Sequence, residues 1–250
     1  MAERAPERSE WERLAARAQP APSFTASLRN GPIAVIAEVK RRSPSKGAIK
    51  EDANAIDLAR RYAEAGASAI SVLTEKEHFG GSLEDLMQVA RSVRVPTLRK
   101  DFIVDPIQVL EARAAGAAAI LLIVRALTDD QLGTLAALAR DVGLETLVEV
   151  HSAEELARAA IAQPSAIGVN ARDLETLAMD PGLVPSLLPK VPRGVIAVAE
   201  SGIASRADVD RVAAAGADAI LVGTAVAGAD DPGEALRTLT GVARASGVRL

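Results

Sequence analysis

Cysteine is absent from this chain of 250 residues, and its absence excludes disulfide bonds, thiolate metal sites and a cysteine nucleophile. The sequence also lacks an apolar run of the roughly 18 residues that a membrane span requires. Its first residues carry charges where a signal peptide has an apolar stretch. These absences predict a cytoplasmic protein that does not enter a membrane.

A strong excess of positive charge is missing as well. The formal net charge is −4 and the basic residues are scattered along the chain, so the sequence carries no electrostatic footprint for nucleic acid. The two histidines, His78 and His151, lack the spacing of metal ligands, and we predict no metal site. For His151 we expect a pocket-lining or helix-capping role.

A repeated phrase organises the rest of the chain. The pattern Ala-Gly-Ala-x-Ala-Ile occurs at residues 65–70, 115–120 and 215–220, and each copy predicts the end of a helix, a glycine turn and the start of a buried strand. The intervals between copies suit two and four β/α units of about 25 residues. The copies would therefore open strands two, four and eight of a regular array.

Eight aliphatic runs of strand length alternate with helical patterns. The runs cover residues 33–39, 69–73, 97–98, 119–124, 144–150, 166–169, 195–199 and 219–222. Helical periodicity covers 54–65, 82–93, 105–115, 128–141, 152–160, 205–215 and 232–243. An open, doubly wound sheet would alternate in the same way, but eight evenly spaced units without a second domain favour closure. We predict a single-domain (β/α)8 TIM barrel over residues 32–250, with residues 1–31 forming a short extension of one helix and a loop.

Charged residues end strands one, three, five and seven. Alternate strands of such a barrel contribute side chains to the same interior layer, and its active site lies at their carboxyl ends. The side chains predicted to meet there are Glu38, Lys40, Lys100, Glu149 and Glu200, with Asn170 at the end of strand six. Their ammonium and carboxylate groups suit proton transfer in a partly dehydrated pocket. The alternative is a ring of structural ion pairs that plugs the barrel.

Two glycine turns predict an anion site. Ser201 and Gly202 follow strand seven, while Gly223 and Thr224 follow strand eight, each pair leading toward a helix start with free N–H groups. Such turns after strands seven and eight commonly bind phosphate in barrels of this type. The basic loop over residues 41–47, which contains Ser43 and Pro44, either covers the anion or is simply solvated.

The few aromatic residues add a further expectation. Phe79 and Phe102 fall in loops after strands two and three, on the same side as the charged strand ends. A flat substrate ring can pack on such side chains. The alternative is that they fill part of the core.

Seven segments together resemble the indole-3-glycerol phosphate synthase family, in family order and over nearly the whole chain after about residue 31. They read AEVKRRSPSKG, SVLTEKEHFGGS, LRKDFIVDP, LVEVH, IGVNARDL, AESGI and LVGTAVA. The resemblance implies a lyase of tryptophan biosynthesis without a cofactor. It would close the indole ring of 1-(2-carboxyphenylamino)-1-deoxyribulose 5-phosphate and release carbon dioxide and water. The chain departs from the family pattern at Ala171 and Ile107, neither of which is a candidate catalytic group.

The resemblance also implies roles for individual residues. Lys100 would be the general acid at the substrate carbonyl, Glu149 would handle the proton of the dehydration step, and Lys40 would bind the carboxylate or act as a further acid. Glu38 and Asn170 would position these groups. The remaining expected substrate contacts are Ser43, Pro44, Phe79, Phe102, Arg172, Glu200, Ser201, Gly202, Gly223 and Thr224. The sequence does not decide which lysine donates in each step.

Two other functions fit parts of the pattern. A phosphosugar isomerase of the same pathway relies on a cysteine base, which this chain lacks. A barrel that only binds a phosphosugar, or serves as a partner in an assembly, would not need the four polar residues Glu38, Lys100, Glu149 and Asn170. We therefore expect an enzyme that acts on a small phosphorylated molecule, most simply as a monomer.

Overall fold

The computed structural model describes residues 7–43, 47–49, 53–245 and 247–249, and these form a closed barrel of eight parallel strands. The strands are β1 (Ala34–Val39), β2 (Ala69–Leu73), β3 (Thr97–Lys100), β4 (Ala119–Ile123), β5 (Glu145–Val150), β6 (Ala166–Asn170), β7 (Ile196–Glu200) and β8 (Ala219–Val222). Each pairs with its neighbours in sequence, and β8 pairs with β1 through Ala34 and Ala219. The predicted (β/α)8 barrel is confirmed, and the open sheet is excluded.

Helices surround the barrel. They are α1 (Arg8–Arg17), α2 (Phe24–Arg29), α3 (Ala55–Glu64), α4 (Leu83–Ser92), α5 (Pro106–Ala114), α6 (Asp129–Asp141), α7 (Ala153–Ala159), α8 (Leu183–Leu187), α9 (Arg206–Ala214), α10 (Thr224–Ala227) and α11 (Pro232–Arg237). A short antiparallel hairpin of Arg42–Ser43 and Gly47–Ala48 follows β1. No helix in the described ranges is long and apolar enough to span a membrane.

The helix boundaries follow from capping residues in the sequence. Side chains such as Asn54, Ser82 and Thr128 accept a hydrogen bond from the first turn of the helix that follows them. After α3, α5 and α9 the chain turns at Gly66, Gly116 and Gly216, with φ angles of 97°, 88° and 94°. Glycine adopts this conformation without the steric penalty of a side chain. The repeated phrase thus marks three helix ends, as predicted.

The strands bury one apolar layer inside the barrel and another against the helices. Ile36, Leu98, Leu147 and Val198 are fully buried in the interior layer, while their sequence neighbours face the helices. Side chains alternate between the faces of a strand, so the residue two positions further along each of these strands also points inward. This alternation directs the charged end of each odd-numbered strand into the barrel mouth.

The N-terminal segment differs from the prediction of one helix and a loop. It contains two helices: α1 packs on α5, and α2 closes the bottom of the barrel, where Phe24 and Leu28 are fully buried with the interior layer. The Glu145 carboxylate holds the start of α2. It accepts hydrogen bonds from Ser23 Oγ at 2.8 Å, from the Phe24 N–H at 2.9 Å and from the Thr25 N–H at 2.8 Å.

Two element ends and one helix differ further from the prediction. Strand β3 continues to Lys100 instead of ending at residue 98, so the lysine lies on the strand itself. The last helix, α11, ends at Arg237 and not at residue 243, because the chain bends back and Val242 accepts a hydrogen bond from the Ile33 N–H at the barrel bottom. Helix α8 was not predicted; it has five residues, includes Pro185 and lacks a side-chain cap.

Replacement of Glu145 by alanine should loosen the barrel bottom. The variant leaves two α2 N–H groups and one hydroxyl without their charged acceptor, and hydrogen bonds to charged groups contribute about 1.5–3 kcal/mol each. Water will form some of the lost hydrogen bonds because the site is half-buried. We therefore expect the free energy of unfolding to fall by about 1–3 kcal/mol. Urea denaturation measures it. An unchanged midpoint would show that α2 does not depend on this anchor.

Candidate active site

A cavity of about 660 Å³ opens at the carboxyl ends of the barrel strands. Its size falls in the range of small-molecule sites. The polar groups that line it include the ends of all four odd-numbered strands, namely Glu38 and Lys40, Lys100, Glu149 and Glu200, together with Asn170 from β6. The predicted convergence of these side chains at one mouth is therefore present in the structure.

Lys100 lies at the centre of the charged groups. Its Nζ atom is 3.1 Å from Glu149 Oε2 and 2.9 Å from Glu200 Oε2, and both carboxylates are almost completely buried. The lysine side chain is 13% exposed, so its ammonium group remains accessible from the cavity. A single cation bridges two carboxylates at the bottom of an open pocket.

These contacts fix the charges of Lys100 and Glu149. Burial alone would lower the pKa of Lys100, but attraction from Glu149, Glu200 and Glu38 outweighs it and raises that pKa well above its usual value. Burial alone would raise the pKa of Glu149, but Lys100 and then His151 outweigh it and hold that pKa well below its usual range. At neutral pH, Lys100 is an ammonium and Glu149 a carboxylate.

Glu200 behaves differently from Glu149. Burial raises its pKa, and repulsion from Glu149 adds to the effect, while Lys100 opposes it; the resulting pKa is about 7. Its Oε1 atom is buried and has no hydrogen-bond partner among the described residues. An unpartnered buried oxygen is less costly on a neutral carboxyl than on a carboxylate. Glu200 is thus able to gain or lose a proton near neutral pH.

Glu38 and Lys40 form a second pair at the mouth. Glu38 Oε1 lies 3.1 Å from Lys40 Nζ, and the two side chains point the same way because they are two positions apart in the chain. Lys40 Nζ also lies 5.4 Å from the centre of the Phe79 ring, within range of a cation–π interaction. This places a cation beside an aromatic wall of the cavity.

Asn170 is held from several sides. Its Oδ1 atom accepts hydrogen bonds from Ser201 Oγ at 2.7 Å and from the Arg172 N–H at 3.0 Å. Its side chain also helps to lower the pKa of Glu149, after the larger effects of Lys100 and His151 and against the opposing effect of burial. The Ser201 hydroxyl therefore points toward Asn170. A ligand near the β7 turn would meet the backbone of Ser201. Arg172 lines the cavity and donates from Nη1 to the Leu177 carbonyl at 2.9 Å.

The two glycine turns lie side by side at the cavity rim. Ser201 and Gly202 both have left-handed φ angles, of 65° and 71°, which produce a sharp turn after β7. Gly223 precedes α10, and Thr224 begins it. The first N–H groups of any helix lack acceptors within that helix, so the Gly223 turn presents backbone donors at the start of α10. The β7 turn differs from the expectation, because α9 begins only at Arg206, with Ser205 as its cap, and Gly202 is not at a helix start.

The remaining predicted residues divide into two groups. Phe79 and Phe102 both line the cavity, and Phe102 is 40% exposed, so neither serves only to fill the core. Ser43 ends a hairpin strand, and Pro44 lies outside the described residues. In the part of the chain that the structure describes, no group of three or more histidines and carboxylates is placed to hold a metal ion.

The apolar part of the cavity lining was not predicted from the sequence. Leu121 and Leu221, on the even-numbered strands β4 and β8, form part of the cavity wall, and Leu174 and Leu177 reach it from the loop after β6. The alternation of side chains along a strand could have predicted Leu121 and Leu221, because each lies two positions after an alanine that faces the barrel interior. The loop leucines gave no comparable signal, because no periodic pattern covers that segment.

Comparison with known proteins assigns the chain to a family. The family model described as indole-3-glycerol phosphate synthase matches residues 1–239. The chain belongs to the indole-3-glycerol phosphate synthase family.

Curated members of the indole-3-glycerol phosphate synthase family agree with this assignment. The protein of that name from Opitutus terrae is 52% identical over 225 residues, which cover 87% of this chain and 84% of the relative. That from Mycobacteroides abscessus is 50% identical over 228 residues, covering 91% and 84%. The family resemblance recognised in the seven sequence segments is therefore confirmed.

Solved structures support the fold alone. A 3-hexulose-6-phosphate synthase from Salmonella typhimurium superimposes with a TM-score of 0.65 at 15% identity, covering 83% of this chain and 96% of that one. A thiamine phosphate pyrophosphorylase from Pyrococcus furiosus gives 0.63 at 20% identity, covering 85% and 95%. At such identities the likeness concerns the barrel that indole-3-glycerol phosphate synthases share with other enzymes.

Replacement of Gly168 by alanine should displace Glu200. A Cβ atom at this β6 position would overlap Glu200 Oε1 and lie 3.1 Å from its Cδ. We expect the free energy of unfolding to fall by about 1–3 kcal/mol, as for other overpacked cores, and the 2.9 Å contact between Lys100 and Glu200 to be lost. Denaturation and a crystal structure of the variant measure the two effects.

Gly133→Ala is the matched control. Its Cβ would meet only Ile161 at 3.5 Å on the outside of α6, so stability should stay the same or rise by up to about 1 kcal/mol. Equal stability of the two variants, with Glu200 unmoved in Gly168→Ala, would contradict the steric argument.

Proposed function

We propose that this chain catalyses the reaction after which its family is named. In that reaction 1-(2-carboxyphenylamino)-1-deoxyribulose 5-phosphate closes to an indole, and carbon dioxide and water leave. The observation that carries the assignment of roles is the Lys100 ammonium, held by Glu149 and Glu200 yet accessible from the cavity. A proton donor in a partly dehydrated site is what the first step requires.

The cavity offers a partner for each part of this substrate. The backbone N–H groups at the Gly202 and Gly223 turns suit the phosphate. The aromatic walls Phe79 and Phe102 suit the flat anthranilate ring. A ring stacked on Phe79 would have its carboxylate near the Lys40 ammonium, which lies over the same aromatic side chain. This pose leaves the substrate ketone toward the centre of the barrel mouth, near Lys100.

Ring closure then proceeds with one proton transfer. The aromatic carbon that carries the carboxylate attacks the ketone carbon, and the ketone oxygen takes a proton from Lys100 Nζ as the new bond forms. The bond to the carboxylate breaks, its electron pair restores the aromatic ring, and carbon dioxide leaves. Lys100 stabilises the charge that develops on the oxygen, which lowers the barrier in addition to supplying the proton.

Loss of water completes the indole. The new hydroxyl group takes a proton and leaves as water while the ring nitrogen supplies electrons, and a proton is then lost from the adjacent methylene group. Glu149, an anion at neutral pH, is placed to accept that proton. Asn170 holds Glu149 in position. Either lysine is a candidate donor to the departing hydroxyl group.

The protonation state of Glu200 explains how the Lys100 ammonium can act as an acid although two carboxylates pair with it. General acids are most effective when their pKa lies near the working pH, and two carboxylates raise that of Lys100 far above it. A proton on Glu200, whose pKa is about 7, removes one of those negative charges. Protonation of Glu200 would thereby make Lys100 a stronger acid when the substrate is bound.

The cellular setting belongs to the same proposal. The residues proposed for the reaction line one cavity within this chain, and we propose that the protein acts as a monomer. We also propose a cytoplasmic location, which suits a chain without cysteine.

Lys100→Met and Lys40→Met should separate the two lysines. Methionine keeps the volume and removes the ammonium, and general acid catalysis contributes about 10²–10⁴-fold. For Lys100→Met we expect kcat to fall by about that factor, measured by the fluorescence of the indole product. For Lys40→Met we expect mainly a higher KM, since the aromatic wall and Lys100 remain. Equal losses of kcat in both would mean that the roles are shared.

A protein that only binds the phosphosugar would give another result. In that case the wild type and Lys100→Met would both bind the substrate, measured by calorimetry, and neither would form product. This outcome would overturn the proposed enzyme and leave the binding function.

Crystals soaked in phosphate test the anion site. We expect one ion within hydrogen-bond distance of the backbone N–H groups at Gly202 and Gly223. Gly202→Ala should weaken binding, because its added Cβ would lie 2.9 Å from Met179 Cε and the residue has a left-handed φ. An ion bound only at surface lysines or arginines would contradict this part of the proposal.

A further inference from the structure

Behind Glu149, away from Lys100, lies the imidazole of His151. Its Nε2 atom is 3.3 Å from Glu149 Oε1, and its Nδ1 atom is 3.3 Å from Glu155 Oε2. The His151 side chain is 2% exposed and does not line the cavity. Of the two roles expected for His151, pocket lining is therefore wrong. Its backbone N–H instead donates to Glu155 in the first turn of α7, a contact at the helix start.

The contacts of His151 continue outward as alternating charges. Glu155 also accepts a hydrogen bond from the His151 backbone N–H at 2.7 Å and another from Arg125 Nε at 2.9 Å. Arg125 in turn donates from Nη1 to Asp173 at 3.0 Å, in the loop after β6 that carries Arg172. A continuous series of ion pairs links Glu149 to a loop at the cavity rim.

The charge on His151 follows from its neighbours. Burial lowers its pKa, but the nearby carboxylates of Glu149 and Glu155 outweigh burial and the opposing charge of Arg125, so the pKa is about 9. A neutral imidazole donates from only one nitrogen, whereas an imidazolium donates from both. With a carboxylate at each nitrogen, the charged form satisfies both contacts.

Glu149 therefore has two cations, one at each oxygen. Lys100 contacts Oε2 at 3.1 Å, and His151 faces Oε1. The His151 contact is close but poorly aligned, since Nε2 forms no hydrogen bond of good geometry within the described residues. A small rotation of the Glu149 carboxylate would align it, and such a rotation becomes possible once Lys100 releases Oε2.

We propose that His151 is a positioning residue that holds Glu149 and balances its charge when Lys100 turns from this carboxylate to the substrate. The inference rests on the function proposed above. Without a second cation, Glu149 would remain as a buried, unpaired carboxylate at the moment when Lys100 gives up its proton, and that state is costly. His151 and Glu149 stay in contact because they lie two residues apart on β5 and its extension.

His151→Gln tests the inference. Glutamine can still donate one hydrogen bond toward Glu149 but carries no charge. We expect kcat to fall by about 10- to 100-fold, because the positive charge that balances the buried Glu149 carboxylate is lost while the donor remains, with KM little changed because His151 does not line the cavity. Glu145→Ala is the control, since it destabilises the opposite end of the barrel and should leave kcat as in the wild type.

The pH dependence of kcat gives a second readout that a merely structural role would not change. In the wild type we expect kcat to fall as the pH rises through about 9, where His151 loses its proton. Glu155→Gln removes one carboxylate that stabilises the imidazolium, so this fall should move to lower pH. In His151→Gln it should disappear. The chain has two histidines, and nitrogen NMR of the imidazoles follows His151 directly, with the exposed His78 as the other signal.

The outcomes separate the two proposals. If the wild type is active and His151→Gln has the same kcat and pH profile, the proposed role of His151 is overturned and the proposed function is not affected. If His151→Gln does not fold, Glu155→Gln decides the matter: an unmoved pH profile overturns the inference, and a shift supports it. A wild type that forms no indole product would overturn the proposed function and this inference together.

Discussion

The interaction on which the site depends is the bridge from the Lys100 ammonium to the buried carboxylates Glu149 and Glu200. Removing charges from water is expensive, and a pair of carboxylates beside each other would be more so. The barrel offsets this cost because the ends of β5 and β7 place their carboxylates against Lys100 at the end of β3. The two carboxylates nevertheless differ in state. Burial acts against both charges, but Lys100 and His151 outweigh it at Glu149 and hold that group as an anion, whereas burial and repulsion from Glu149 outweigh Lys100 at Glu200 and raise its pKa to about 7. The contacts that join the strand ends and the proton transfer proposed for the site thus involve the same side chains.

Space for these charged groups comes from the even-numbered strands. Gly168 on β6 leaves room for the Glu200 carboxylate, and Gly223 after β8 does the same for Glu38, since a Cβ at either position would overlap a carboxylate oxygen. Odd strands supply the charged side chains, and their even neighbours supply either glycine or aliphatic residues such as Leu121. The alternation allows four acidic or basic strand ends to fit within one barrel cross-section.

Much of this arrangement could be read from the sequence because it depends on short-range rules. A period of two along each strand places Glu38, Lys100, Glu149 and Glu200 on the inward face, and the repeated glycine phrase sets the β/α unit. What the sequence did not reveal depends on long-range contacts. Helix α2 closes the barrel by an anchor to Glu145, more than 100 positions away. The pairing of His151 with Glu155 is an exception, since the two residues are only four positions apart and their contact depends on the turn that joins β5 to α7.

The closed bottom of the barrel has a consequence for how molecules enter and leave the site. Since Phe24 and Leu28 of α2 fill the lower end, the described residues leave the cavity open at the carboxyl ends of the strands and closed at the opposite end. Whatever binds there leaves on the side from which it entered, and the product of the proposed reaction keeps the phosphate group that we propose binds at the two turns. The next substrate cannot bind until the product has left. The rate of product release therefore sets an upper limit on the turnover rate.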